Sequence, residues 1–150
     1  LKQNERSTRN FVRKWGHFVK HDAHLKPIVP PKYDIGIVIK NCNYNLLYEL
    51  EPWCSTIYVD WASKGYIDIE QPNTMFDLKK RVKSSVDNTP DNDIIVRFDA
   101  NSFLSDSYPY IRQLSQILAN DELEVGSFEL DIFEIQINRI KTYEESLINV

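Results

Sequence analysis

A three-layer α/β domain with a mostly parallel sheet, preceded by an N-terminal amphipathic helix, is what three features of the sequence predict. Short runs of β-branched residues alternate with segments of helical period, an arrangement in which crossover helices join parallel strands. The strand-like runs stop at polar residues: Asn41 after the first, Asp60 after the second, and Asp99 with Asn101 after the Asp93–Phe98 run. Finally, the charge is split. Residues 1–32 hold eight Lys/Arg against two Asp/Glu, whereas residues 33–150 hold ten against twenty. The expected organisation is a basic helical arm over residues 1–24, a Pro-rich connector over 25–33, and an α/β domain over 34–150.

In the arm, Phe11, Val12, Trp15, Phe18 and Val19 form one apolar stripe on a helix expected from Ser7 to Ala23, with Arg9, Arg13 and Lys20 mostly opposite. Such a helix suits a partner or adjoining domain gripped by Phe11, Trp15 and Phe18, or peripheral membrane association; docking of the stripe on its own domain is the plainer alternative. A nucleic-acid role is not expected, because the aromatic and Gly/Ser interleaving of single-strand binders is missing and the body is acidic. His17, His21 and His24 have helical spacing, but no HExxH pattern accompanies them. Pro27, Pro30 and Pro31 end the helix and make the connector semi-rigid.

In the body, Asp34–Lys40 reads as a buried strand, and Leu46, Leu47 and Leu50 as the inner face of a helix that Pro52 ends. Thr56–Val59 is the second strand. Tyr66–Ile69 is expected to add a short strand. Thr74-x-x-Asp77 then opens a helix with Met75, Leu78 and Val82 inward and Lys79, Lys80, Arg81 and Lys83 on its surface. After the strand to Phe98, a helix from Ser107 carries Tyr110, Ile111, Leu114, Ile117 and Leu118 as its stripe. From Gly126 to Ile137 the alternation slips phase, which suggests one strand with a bulge near Ile132. The tail from Tyr143 to Val150 reads as a short helix.

No segment approaches the roughly 20 apolar residues of a membrane span, and no apolar signal region opens the chain. Cys42 and Cys54, without a CxxC pattern, are expected as buried free thiols in a reducing, cytoplasmic setting. The chain begins at Leu1 and its one methionine is Met75, so a piece of a larger polypeptide is expected. There is no GxGxxG, no GxxxxGK[ST] and no GxSxG, which argues against glycine-cradled dinucleotides, P-loops and serine-hydrolase elbows. A diphosphate bound without a glycine loop needs another source of positive charge, and a divalent ion at Asp99 would supply it.

Val59-Asp60-Trp61-Ala62-Ser63 resembles the VDDGS-like turn, and Asp99 to Tyr108 (DANSFLSDSY) the DxD metal motif with its following phrase, of inverting family-2-type glycosyltransferases with the GT-A, Rossmann-like fold. The resemblance covers roughly residues 34–118. It implies a nucleotide sugar as ligand, Asn41 and Asp60 on the nucleoside side, Lys80 or Arg81 as a basic contact, and Asp99 with Asn101 holding Mn²⁺ or Mg²⁺. Phe11 to His17, FVRKWGH, is similar to a segment that trails such domains, implying a second module of a longer enzyme. Two departures stand out. Asn101 replaces the second acid of DxD, and Trp61 replaces that of VDDGS. No base motif is recognised among Asp121, Glu129 and Asp131, so the alternative is a catalytically inactive GT-A-like scaffolding module.

Overall fold

The computed structural model describes residues 2–17, 24, 32–61, 63–120 and 124–140. Its elements are α1 (Lys2–Trp15), β1 (Ile35–Lys40), α2 (Tyr44–Leu50), β2 (Thr56–Val59), α3 (Lys64–Glu70), α4 (Leu78–Arg81), β3 (Val82–Ser84), β4 (Ile94–Asp99), α5 (Tyr108–Arg112), α6 (Leu114–Asn120), β5 (Gly126–Leu130) and β6 (Phe133–Ile137). They make a mixed α/β domain around one six-stranded sheet in the order β3-β2-β1-β4-β6-β5. β3, β2, β1 and β4 are parallel, and the β5–β6 hairpin adds antiparallel to β4.

Alternation along the strands separates two faces. Ile35, Ile37 and Ile39 of β1, Ile57 and Val59 of β2, Ile94, Val96 and Phe98 of β4, and Phe133, Ile135 and Ile137 of β6 share one core with Leu46, Leu47, Leu50, Tyr66, Leu78, Ile111, Leu114 and Leu118. Helices α2 to α6 therefore bury their apolar residues on the same face. Of the three layers expected, the described residues supply two. On the second face, Gly36, Val38, Tyr58, Ile95 and Arg97 alternate outward, and the β3–β4 connection contributes Asn92. The Asn92 side chain lies on Gly36, where a Cβ would come within 2.2 Å of its Oδ1. Tyr58 Oη donates to that oxygen at 3.1 Å, and Asn92 Nδ2 donates to Asp34 at 2.7 Å. A right-handed crossover that reverses direction along the sheet has to change faces in this way.

Several sequence expectations change. α1 stops at Trp15, because Gly16 at φ 82° ends it, with the Gly16 amide bonded to the Val12 carbonyl at 2.7 Å. Lys32 Nζ donates to the carbonyls of Arg13 and Lys14, both at 3.0 Å. Tyr66–Ile69 is part of helix α3 rather than a strand: Tyr66 and Glu70, four apart, are its two buried positions. Asp77, not Thr74, caps α4 by accepting from the Lys79 amide at 3.1 Å, Val82 opens β3, and Met75 is fully exposed. The phase slip near Ile132 is a reversal of direction: Leu130 pairs with Phe133, and Asp131 takes φ 55° in the tight turn. A bulge and a hairpin both let the apolar sets share a face, and only the pairing distinguishes them. The stripe in α5 and α6 holds, with Ile111, Leu114 and Leu118 buried. The Pro-rich run 25–31, Phe18, Val19, Lys20, His21, Asp121 and the tail helix lie outside the described residues. Among the described residues, no helix is long and apolar enough to cross a membrane.

Candidate functional site at the carboxyl edge of the sheet

The chain leaves β1 toward β2 on one side and places β4 on the other, so the order of strands reverses at the β1/β4 boundary. Such a switch point opens a crevice beyond the carboxyl ends of the strands. Lys40 and Asp99 are paired across that boundary. Asn41 follows at φ 57°, a left-handed conformation that asparagine tolerates better than most residues. This turn aims its backbone amide at Asp60 Oδ2, 2.8 Å away beyond β2. The Asn41 side-chain amide donates to both oxygens of Asp99, at 3.1 and 3.2 Å, and the Asn101 backbone amide donates to Asp99 Oδ1 at 2.9 Å. Asn41, Asp60, Asp99 and Asn101 thus meet as the strand-end reading requires.

The two amides fix what Asp99 can do. The Asn101 backbone N–H, then the Asn41 side chain, and more weakly the charge of Lys40, hold its carboxyl below the usual carboxylate range. Asp99 remains an anion at neutral pH with lone pairs left for a ligand. Its surroundings are exposed on the Asn41, Asp60 and Asn101 side.

A divalent ion fits this donor set only in part. Asp99 and the Asn101 side-chain carbonyl could supply two oxygens, and no group of three His, Cys, Asp or Glu among the described residues is placed to hold a metal.

Lys80 and Arg81 do not join the group. Arg81 immediately precedes β3, whose Val82 pairs with Ile57 near the start of β2, so both cations sit at the opposite, amino edge. There the Arg81 guanidinium is committed, with Nε on Glu51 Oε2 at 3.0 Å and Nη2 on the Glu51 and Cys54 carbonyls at 3.0 and 2.6 Å.

Glu51, fully buried, is the centre of a network that the sequence reading missed. Arg13, 1% exposed, reaches Glu51 Oε1 at 2.5 Å and Glu70 Oε2 at 2.9 Å. Arg9 bonds Glu70 and donates to Tyr66 Oη at 2.8 Å, and Tyr66 donates onward to Glu51 Oε1 at 2.8 Å. Burial by itself would raise the Glu51 pKa, but Arg13 and Arg81 outweigh it and hold the carboxyl low. Burial likewise works against the Arg13 charge, and Glu51 and Glu70 reverse that effect. The arginines of α1 are therefore its docking face, while Phe11 is only half-buried and Trp15 is 41% exposed. Arg9, Arg13, Glu51 and Glu70 carried no motif. Their one sequence signal was spacing, with Arg9 and Arg13 one helical turn apart beside buried Val12.

Cys42 and Cys54 are free and buried, as expected; burial, opposed by smaller contributions, pushes their thiols up to about 11 and about 12, which leaves them unreactive. Comparison of the chain with protein-family models, with curated proteins and with solved structures returns no match.

Proposed function

We propose that this domain binds a nucleotide-diphosphate sugar together with a divalent ion, as the GT-A-like part of a larger glycosyltransferase. The observation that carries the reading is the meeting of Asn41, Asp60, Asp99 and Asn101 at the switch point of the sheet. Asp60, anchored by the Asn41 amide, faces the nucleoside. Asp99 and Asn101 face the metal-bridged diphosphate. The ion would neutralise the phosphates and polarise the bond to the departing nucleotide. Lys80 and Arg81 lie too far along the strands to share that task. The proton acceptor that an inverting transfer needs is not assigned.

A second reading, a catalytically inactive scaffolding module, draws on Asn101 standing where a second acid would strengthen metal binding. One titration separates the two. Calorimetry with uridine diphosphate is run with and without Mn²⁺ on the native chain and on Asp99→Asn. Manganese-dependent binding that weakens at least about tenfold in the variant is the expected result. Silence in every condition would favour the scaffold.

A further inference from the structure

The two outer strands of the sheet are finished differently. β3 closes one side with three residues, Lys83 among them, and its Ser84 carbonyl accepts from the Asn88 backbone amide at 3.1 Å and the Asn88 side chain at 2.9 Å. A short, charged strand folded over by its own turn is a common way to blunt a sheet edge. β5, on the other side, has five residues with no proline, no lysine and no bulge against β6. Its first four residues are exposed, and among the described residues no backbone hydrogen bond from another segment reaches its outer side. The amides and carbonyls that point away from β6 are therefore a template for one more strand.

The rows that cross the sheet define what that strand should carry. On the core face Val96, Ile135 and Phe128 lie in register, and the row ends at Phe128, 36% exposed. On the second face the neighbouring row runs Arg97, Glu134, Glu129. Glu134 has a cation opposite it on β4, whereas Glu129 faces only the like charge of Glu134, and directly opposed like charges weaken a sheet. No cation is bonded to Glu129 among the described ion pairs. The next place in its row lies beyond β5. A Lys or Arg there would answer the charge, and an apolar side chain one position along would continue the other row and cover the Phe128 ring. The charge also decides between occupants. Pairing β5 with β5 of a second copy would bring another Glu129, Asp131 and Glu134 to the same end of the sheet, so self-pairing is opposed where a basic strand is favoured.

We propose that β5 is a docking edge that takes an extended, basic segment of a partner protein as a seventh strand, with Lys or Arg opposite Glu129 and an apolar residue opposite Phe128. Backbone pairing supplies the affinity, and the two side-chain rows supply the choice of partner. The proposal is independent of what binds at Asp99.

The test titrates fluorescein-labelled Thr-Val-Lys-Val-Lys-Val-Thr and its counterpart Thr-Val-Glu-Val-Glu-Val-Thr, by anisotropy, against the native chain and against Glu129→Lys. The native chain is expected to bind the lysine peptide at least about tenfold tighter than the glutamate peptide, and the variant to reverse that order. Glu129→Lys should melt no lower than the native chain, since it turns an opposed like pair into an opposite one, so a lost preference is not a lost fold. Hydrogen exchange of the amides of β5 is followed in the same samples, and alternate amides should gain protection when the lysine peptide is bound. Binding of neither peptide up to about 1 mM, a preference that survives the charge swap, or binding without protection of β5 would overturn the proposal. So would β5 amides already protected without peptide in a dimer seen by sedimentation, which would give the edge to a second copy.

Discussion

The two ends of the sheet handle charge in opposite ways. At the amino edge, Arg9, Arg13 and Arg81 face Glu51 and Glu70 in a nearly dry cluster, and the buried carboxylates have their oxygens filled by guanidinium and phenol donors and, at Glu70 Oε1, by the Asn73 side-chain amide. At the carboxyl edge, Asp60 and Asp99 hold to backbone and side-chain amides, with no cation bonded to either carboxylate among the described ion pairs. The first arrangement fixes a helix. The second leaves capacity for something else to bind. Motif reading looked for cations at the second edge and named Lys80 and Arg81, yet Arg81 belongs to the first.

Substitutions ordered by expected effect would break or sharpen that contrast. Glu51→Ala leaves three arginines around an uncompensated site, and loss of about 3–5 kcal/mol in urea unfolding is expected, with α1 released. Stability unchanged within about 0.5 kcal/mol would show that the cluster does not hold the helix. Acid should act in the same place. Because the folded-state pKa of Glu51 is depressed, its contribution is complete above the unfolded value of about 4.3 and is lost as pH falls through the folded value. The stability gap between the native chain and Glu51→Gln should therefore shrink below about pH 4, and a gap that stays constant to pH 2 would contradict the assignment.

Gly36→Ala drives a methyl into Asn92, and about 1–3 kcal/mol of destabilisation is expected, relieved in part by Asn92→Gly. Asn43→Ala removes the cap on the Leu46 amide and should lower stability by about 1 kcal/mol. At the carboxyl edge the prediction reverses. Asp99→Asn should change stability by less than about 0.5 kcal/mol while removing manganese-dependent nucleotide binding. A large loss of stability in that variant would make Asp99 a structural residue like Glu51 and erase the distinction between the two ends.

What the sequence by itself determined were the features set by local period and local chemistry. The apolar runs at Ile35–Ile39, Thr56–Val59 and Ile94–Phe98 specified parallel strands, because near-continuous apolar runs joined by helical crossovers leave little other choice. Their polar ends specified the edge on which Asn41, Asp60, Asp99 and Asn101 would gather. The helix stripe of Ile111, Leu114 and Leu118 was equally legible. Tertiary structure decided the rest, since it depended on residues distant in the chain. Tyr66 to Ile69 suit a strand or a helix, and burial of Tyr66 and Glu70 against the α1 arginines goes with the helix. The alternation around Ile132 is the same for a bulge and for a hairpin until β6 pairs with β4. Arg9 and Arg13 read as a solvated basic face because a charged residue is normally exposed. Glu51 and Glu70, 38 to 61 residues away, together with the Tyr48 carbonyl, Tyr66 Oη and Asn10 Oδ1, make their burial tolerable by replacing the water they lose.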